Sequence, residues 1–269
     1  MKPLLILTFL SLSAGDISAI AQDTTYLNKA WRDTSASYAS YYRTRIRQGA
    51  VWQVTDHFLN GKPQMIGTFS DDSCHIRQGL STWYDSTGLP FHEAVYVDNK
   101  ENGKDNQYYK GGRLEITGNY KSGKMDGDFI GYYPSGKISG KAKFAYGKQV
   151  SGNFYNEDGS INPHITDFIK DSEYPGGTQE WLVFLNKHLR YPKSAFRNRA
   201  EGTVVVQFII SEEGKIADAV VIKSVDPDLD AEALRVIYKS SGKWPPAIYG
   251  GRLTKSYKKQ PIVFSLQVL

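Results

Sequence analysis

Gly79-Leu-Ser-Thr-Trp83-Tyr84-Asp-Ser-Thr-Gly88, Gly103-Lys-Asp-Asn-Gln-Tyr108-Tyr109-Lys-Gly-Gly112 and Gly127-Asp-Phe-Ile-Gly-Tyr132-Tyr133-Pro-Ser-Gly136 are three versions of one phrase. A shortened fourth, Gly152-Asn-Phe154-Tyr155-Asn-Glu-Asp-Gly159, follows them. The turn glycines advance from 88 to 112 to 136 to 159, and a second aromatic series, Phe69, Tyr96, Tyr120 and Phe144, runs in phase between them. Each unit therefore holds two aromatic-bearing strands joined at a glycine, which takes the positive φ of a hairpin turn without steric cost. Repetition of such units predicts a long antiparallel meander. Working upstream, Tyr41–Arg47 and Val51–Phe58 flank Gln48-Gly49 as another hairpin, and Asn60-Gly61 marks a turn. Residues 26–40 carry no decisive pattern.

The glycine and paired-tyrosine spacing resembles the bacterial MORN-type repeat, as in YwqK-like proteins, over about residues 38–161. That resemblance implies a scaffold or binding surface and assigns no site residues. The aromatics Trp83, Tyr84, Tyr108, Tyr109, Tyr132 and Tyr133 read first as core and sheet-face residues, and otherwise as a basic aromatic groove for glycan or peptide.

Outside the repeats, the amino terminus has Lys2, an apolar run from Leu4 to Ala14, and Ala19-Ile20-Ala21 before a polar stretch. The run is too short to span a bilayer, which takes about 20 residues, and the small-x-small triplet suits signal peptidase. Residues 1–21 are expected to be a cleaved secretory signal, and the mature chain a periplasmic protein without a transmembrane segment. The chain has 269 residues, 40% of them hydrophobic and 23% charged, which argues against wholesale disorder. A net charge of +5 outside the cytoplasm suits anionic envelope surfaces at least as well as nucleic acid, and no nucleic-acid partner is expected. Cys74 is the single cysteine, so no intrachain disulfide can form.

Composition shifts near residue 165, giving expected domains at 22–165 and 166–269. In the second, Thr178 is placed as the cap of a helix with Trp181, Leu182, Phe184, Leu185 and Leu189 on one stripe, ended by Pro192; Ala195–Arg199 adds a turn of helix. Thr203–Ser211 and Ile216–Val225 form a hairpin about Glu212-Glu-Gly214-Lys. Asp226 caps a second helix with Pro227 at its first position and Leu229, Ala233, Leu234, Val236 and Ile237 as its apolar face, closed by Gly242. Trp244-Pro245-Pro246 is a loop. Ser256–Val268 is the last strand, and Pro261 places it at a sheet edge, because proline cannot donate to a ladder. The expected class is α+β: a β-meander, then a small α-β-β-α-β domain.

Arg190-Tyr191-Pro192, Glu201-Gly202, the Glu212-Glu-Gly-Lys turn, Asp226-Pro-Asp-Leu-Asp, Trp244-Pro-Pro and Pro261-Ile-Val-Phe-Ser-Leu, in that order, resemble the TonB carboxy-terminal domain of Bacteroidetes-like sequences over 174–268. The resemblance implies binding: a segment of an outer-membrane TonB-dependent transporter, the TonB box, adds as a strand beside the last one. The residues it nominates for this peptide are Arg190, Tyr191 and Pro192, with Lys258, Lys259, Gln260, Ile262, Val263, Phe264, Ser265 and Leu266. Transducers of this family also carry an amino-terminal anchor and a long Pro-rich linker. Here the leader reads as cleavable and the 11 prolines are scattered, so the resemblance carries strand capture further than energy transduction. The alternative is a periplasmic scaffold whose repeats hold peptidoglycan, glycan or another envelope protein.

Enzymatic chemistry finds no frame. His57, His75, His92, His164 and His188 lack metal-ligand spacing, Cys74 and His75 read as plain surface residues, and there is no nucleophile elbow, Walker loop or dinucleotide fingerprint. The expectation is a binding protein with no cofactor and no metal.

Overall fold

The structure, a computed structural model, describes residues 23–266. The expected leader (1–21) and the end of the expected last strand (267 and 268) lie outside them. The chain forms two compact units, one through Lys100 and one from Glu101.

In the first unit β1 (Asp23–Leu27), β2 (Tyr41–Gln48), β3 (Val51–Phe58), β4 (Pro63–Phe69), β5 (Arg77–Tyr84) and β6 (Pro90–Val97) pair antiparallel, each with the next. Residues 26–40, unassigned from sequence, supply β1 and a short 3-10 turn at Ala36–Tyr38. The core of this unit is Val54, Met65, Phe69 and Cys74. Cys74 is thus buried, and burial pushes its thiol pKa up, contrary to its reading as a surface residue. Arg43 donates to both carboxylate oxygens of Asp56, at 2.6 and 2.9 Å, which satisfies a carboxylate only 2% exposed.

The second unit begins with the same architecture: β7 (Lys100–Tyr108), β8 (Leu114–Lys121), β9 (Lys124–Met125), β10 (Gly127–Tyr132), β11 (Ile138–Ala145) and β12 (Lys148–Phe154). β7, β8, β10, β11 and β12 follow one another across the sheet, with β9 on β8. The glycine phrase is a repeated turn. Gly88, Gly112, Gly136 and Gly159 hold φ between 80° and 92°. In each, the glycine N–H donates to a carbonyl three residues earlier, from Gly88 to Asp85, Gly112 to Tyr109, Gly136 to Tyr133 and Gly159 to Asn156.

Apart from Phe154, the paired aromatics are only half-buried; the deepest positions of this sheet belong to Ile116, Phe129, Ala142, Phe144 and Phe154, joined by Ile165 and Phe168 from the segment that follows. The second tyrosine of each pair has another task. Tyr109 Oη donates to the Tyr132 carbonyl at 2.6 Å, and Tyr133 Oη to the Tyr155 carbonyl at 2.9 Å, so each hydroxyl ties one repeat to the next. Tyr133→Phe should cost about 1 kcal/mol in urea unfolding of the chain, the usual net value of one such bond.

Beyond the repeats come β13 (Ile169–Lys170), α1 (Gly177–His188), α2 (Lys193–Arg197), β14 (Gly202–Ile210), β15 (Ile216–Lys223), α3 (Pro227–Lys239), β16 (Ala247–Tyr249), β17 (Arg252–Thr254) and β18 (Ser256–Phe264). Three details differ from expectation. Gly176, at φ 81°, is the residue before α1, so Thr178 lies inside the helix and caps nothing; the last strand stops at Phe264; and a hairpin, β16–β17, stands between α3 and β18. Asp226 does cap α3, accepting from the N–H groups of Asp228 and Leu229. The core joins Trp181, Phe184 and Leu185 of α1, the inward face of β14, Leu229, Ala233, Val236 and Ile237 of α3, Trp244, and Ile262 and Phe264 of β18.

The unexpected hairpin packs on the repeat sheet of its own unit. Ser139 Oγ donates to the Gly250 carbonyl at 2.6 Å, Gly251 N–H donates to the Phe168 carbonyl at 2.9 Å, and Tyr249 Oη bonds Gln107. Arg252 pairs with Glu115 and lies over the Tyr109 ring. Contact this close requires glycine on both sides: a Cβ on Gly131 would sit 2.0 Å from the Gly250 oxygen, and one on Gly251 would sit 2.9 Å from the Gly140 Cα.

Burial, with Glu115 and Asp105 nearby, pushes the Tyr249 hydroxyl pKa up to about 12. A tyrosine in the unfolded chain ionises near 10, so the folded protein keeps this proton longer. The resulting stabilisation is full below about pH 10 and is lost as pH rises through 12. Thermal unfolding should show a wild-type midpoint falling more steeply between these values than that of Tyr249→Phe, which has no proton to lose.

Candidate functional site

β18 is the outer strand of the sheet β15-β14-β18 and, among the described residues, pairs only with β14. The pairing is unbroken from Gly202 opposite Phe264 to Ile210 opposite Ser256. Its side chains alternate: Ile262 and Phe264 are buried and Lys258 and Gln260 half-buried on one face, while Tyr257, Lys259, Pro261 and Val263 are exposed on the other. Ile262 and Phe264 are core residues whose side chains are buried and not open to a guest. Ser265 and Leu266 lie past the strand, where the Leu266 N–H donates to Glu201 Oε2 at 3.4 Å.

The opposite edge of this sheet is built differently. β15 loses register with β14 at two places, Asp218 holds φ 50°, and the Ala219 N–H donates to Tyr238 Oη at 3.3 Å. Bulges and capped donors blunt an edge against further pairing. β18 carries neither device along its register.

The Arg190-Tyr191-Pro192 element stands beside the end of β18. Tyr191 meets Phe264 edge-on at 5.8 Å, and its hydroxyl donates to the Ala200 carbonyl. Arg190 contributes its backbone: its N–H donates to Glu232 Oε1 at 2.6 Å, while Arg235 holds Glu232 through two 2.7 Å bonds and reaches the His188 carbonyl at 2.6 Å. Glu232, 8% exposed, is therefore a satisfied buried charge that fixes the turn after α1.

Between α1 and β18 runs a groove of about 570 Å³, with Leu182, Leu185 and Leu189 on the helix side and Pro261, Val263 and Phe264 on the strand side. Leu182 was expected in the core stripe, yet it is 47% exposed on this wall. Nearer the start of β18, Lys258 pairs with Asp171 at 2.6 Å beside a second pocket of about 300 Å³. Sequence reading named the strand and the Tyr-Pro element; it missed Asp171, Ser172 and the α1 wall, because nothing in the linear pattern shows that they meet β18.

Residues 187–266 match the family model for the C-terminal domain of the Gram-negative bacterial TonB protein. The matched span begins at the end of α1, ends just after β18, and covers none of the hairpin repeats. Two solution structures of the Helicobacter pylori TonB C-terminal domain are similar to this chain. One is 28% identical, with 33% of this chain and 92% of that chain covered at a TM-score of 0.28; the other, a longer form, is 30% identical, with 35% and 87% covered at 0.27. No curated protein matches the chain. Among the described residues, no helix is long and apolar enough to cross a membrane. The TonB-like domain bears out the sequence resemblance for this part of the chain and agrees with a place in the cell envelope.

Proposed function

We propose that the chain is an exported, periplasmic, non-enzymatic TonB-family protein whose β18 takes up an extended segment of an outer-membrane TonB-dependent transporter as an additional strand. The observation that carries this reading is the open, unbroken edge of β18 facing an apolar groove, set against the bulged and capped edge of β15. Pro261 fixes which backbone groups are on offer. It lies opposite Val205 and has no N–H, so the internal ladder runs without a gap when the odd-numbered residues of β18 face outward. Tyr257, Lys259 and Val263 then offer donors, and these three with Pro261 offer acceptors.

Four or five such bonds at about 0.5–1.5 kcal/mol each, less the ordering of the guest, give an affinity of roughly micromolar order. That strength permits capture and release. The hairpin repeats, with β16–β17 seated on them, serve in this reading as the support that holds the domain. Titration of the full chain with a synthetic peptide carrying the TonB box of a cognate transporter tests the proposal. Backbone amide shifts concentrated at Tyr257, Lys259 and Val263 are expected; shifts on β15, or none at any concentration, would reject it.

A further inference from the structure

The pocket at the start of β18 is lined by Ser172, Glu173, Thr178, Trp181, Trp244 and Lys258 among others, and two buried polar groups in it lack partners. Ser172 is fully buried and its Oγ has no hydrogen-bond partner; Trp181 is 3% exposed and its Nε1 has none either. The neighbouring Trp244 Nε1, by contrast, donates to Ser240 Oγ at 2.9 Å, so this domain does satisfy such groups elsewhere. α1 begins at this pocket with Gly177 and Thr178; the Gly177 N–H donates to the Tyr174 carbonyl at 2.7 Å, and no side chain caps the rest of the first turn, where the positive end of the helix dipole lies. Lys258 adds an ammonium group, which Asp171 already holds at 2.6 Å. The two groups without a partner are therefore a hydroxyl, which can donate, and an indole N–H, which can do nothing else. Leaving buried donors unpaired costs free energy in the empty protein, which a ligand that accepts from them recovers.

We infer that this pocket is a side-chain subsite for the guest strand, and that it takes a residue ending in a hydrogen-bond acceptor, a carboxamide or a carboxylate. The inference rests on strand addition to β18 and extends it. Lys258 and Gln260, which line the pocket, project from the same face of β18 as Ile262 and Phe264, the face turned toward α1. A guest strand paired with β18 turns every second side chain to that face. One of these reaches the donor pocket, and another of the same parity, farther along, lies over the groove walled by Leu182, Leu185 and Leu189. The recognised segment is therefore extended, with a polar acceptor and a large apolar residue separated by an even number of positions.

The test uses the full chain and labelled nine-residue peptides of alternating Thr and Val, acetylated and amidated, with Gln, Glu or Ala placed at each inner position in turn. Fluorescence polarisation should find one position at which Gln or Glu binds about 5–10-fold more tightly than Ala. The Gln and Glu arms separate carboxamide from carboxylate. Ser172→Ala and Trp181→Phe should each erase most of that preference, read as the ratio of Gln-peptide to Ala-peptide affinity on the same variant. Ser172→Ala should also melt no lower than wild type, because the hydroxyl it removes has no partner. If the peptides bind but the acceptor preference is absent, or persists unchanged in both variants, the subsite is wrong and strand addition stands. Failure of every peptide to bind wild type overturns both.

Discussion

Gly131→Ala is expected to destabilise the unit from Glu101 onward by about 2–4 kcal/mol, the range of a packing clash that forces backbone apart. The reason is distance and not conformation. The glycine is not among those with positive φ, so alanine's backbone preference is not at issue. Its Cβ would stand 2.0 Å from the Gly250 oxygen and 2.7 Å from the Gly250 carbon, both main-chain atoms that no rotamer change can move aside. Relief requires β16–β17 to withdraw, and with it go the Ser139 bond to Gly250, the Tyr249 bond to Gln107 and the Arg252–Glu115 pair. Urea unfolding checks the magnitude. Gly136→Ala is the control: it sits at φ 89° in an open turn whose nearest atom is a flexible arginine carbon at 3.9 Å, and it should cost about 1–2 kcal/mol through backbone strain alone. Equal losses in the two variants would show that the docked hairpin contributes nothing.

Lys259→Pro should abolish guest binding, by at least about tenfold, and leave the fold intact. Lys259 shares the parity of Pro261, so its N–H faces the open side and its side chain is exposed; the second proline removes a donor that only a guest uses. Lys258→Pro should behave otherwise. Lys258 lies opposite Phe208, in the positions that bond to β14, and its side chain holds Asp171, so that variant should unfold the domain and lose binding for an uninformative reason. Circular dichroism and melting separate the two. A Lys259→Pro protein that melts as wild type and still binds the peptide would exclude β18 as the docking edge.

Much of this arrangement can be read from residues alone, for physical reasons that differ by region. The meander is legible because the turn glycines need positive φ, and that demand recurs at a fixed interval. α3 is legible because Asp226 and Pro227 announce a helix start chemically. The edge position of β18 follows from one missing N–H, at Pro261. The Thr178 assignment failed because Gly176-Gly177 makes the entry to α1 through a left-handed glycine, an option the Ser/Thr/Asp rule does not see. β16 and β17 failed for lack of length: three residues show no period, and Gly250-Gly251 looks like any turn. The signal was present on the other side, in Gly131 and Gly140, which interrupt strands at positions where no turn needs them. The donor pocket could not be read at all, because Ser172, Trp181 and Lys258 are brought together only by the fold.

The hairpin on the repeat sheet leads straight into the strand proposed to dock a guest, since Thr254 ends β17 and Ser256 begins β18. Tension applied to a captured segment would act along β18, shearing its nine-residue register with β14 as a whole instead of peeling it rung by rung. At the strand's first residue the strain would pass through Lys255 into β17, and from there into the glycine contacts with β10 and β11. A tug on a guest held as proposed would thus be resisted behind β18 by two sheets, and the guest's own ladder of about four or five bonds would give way before either of them.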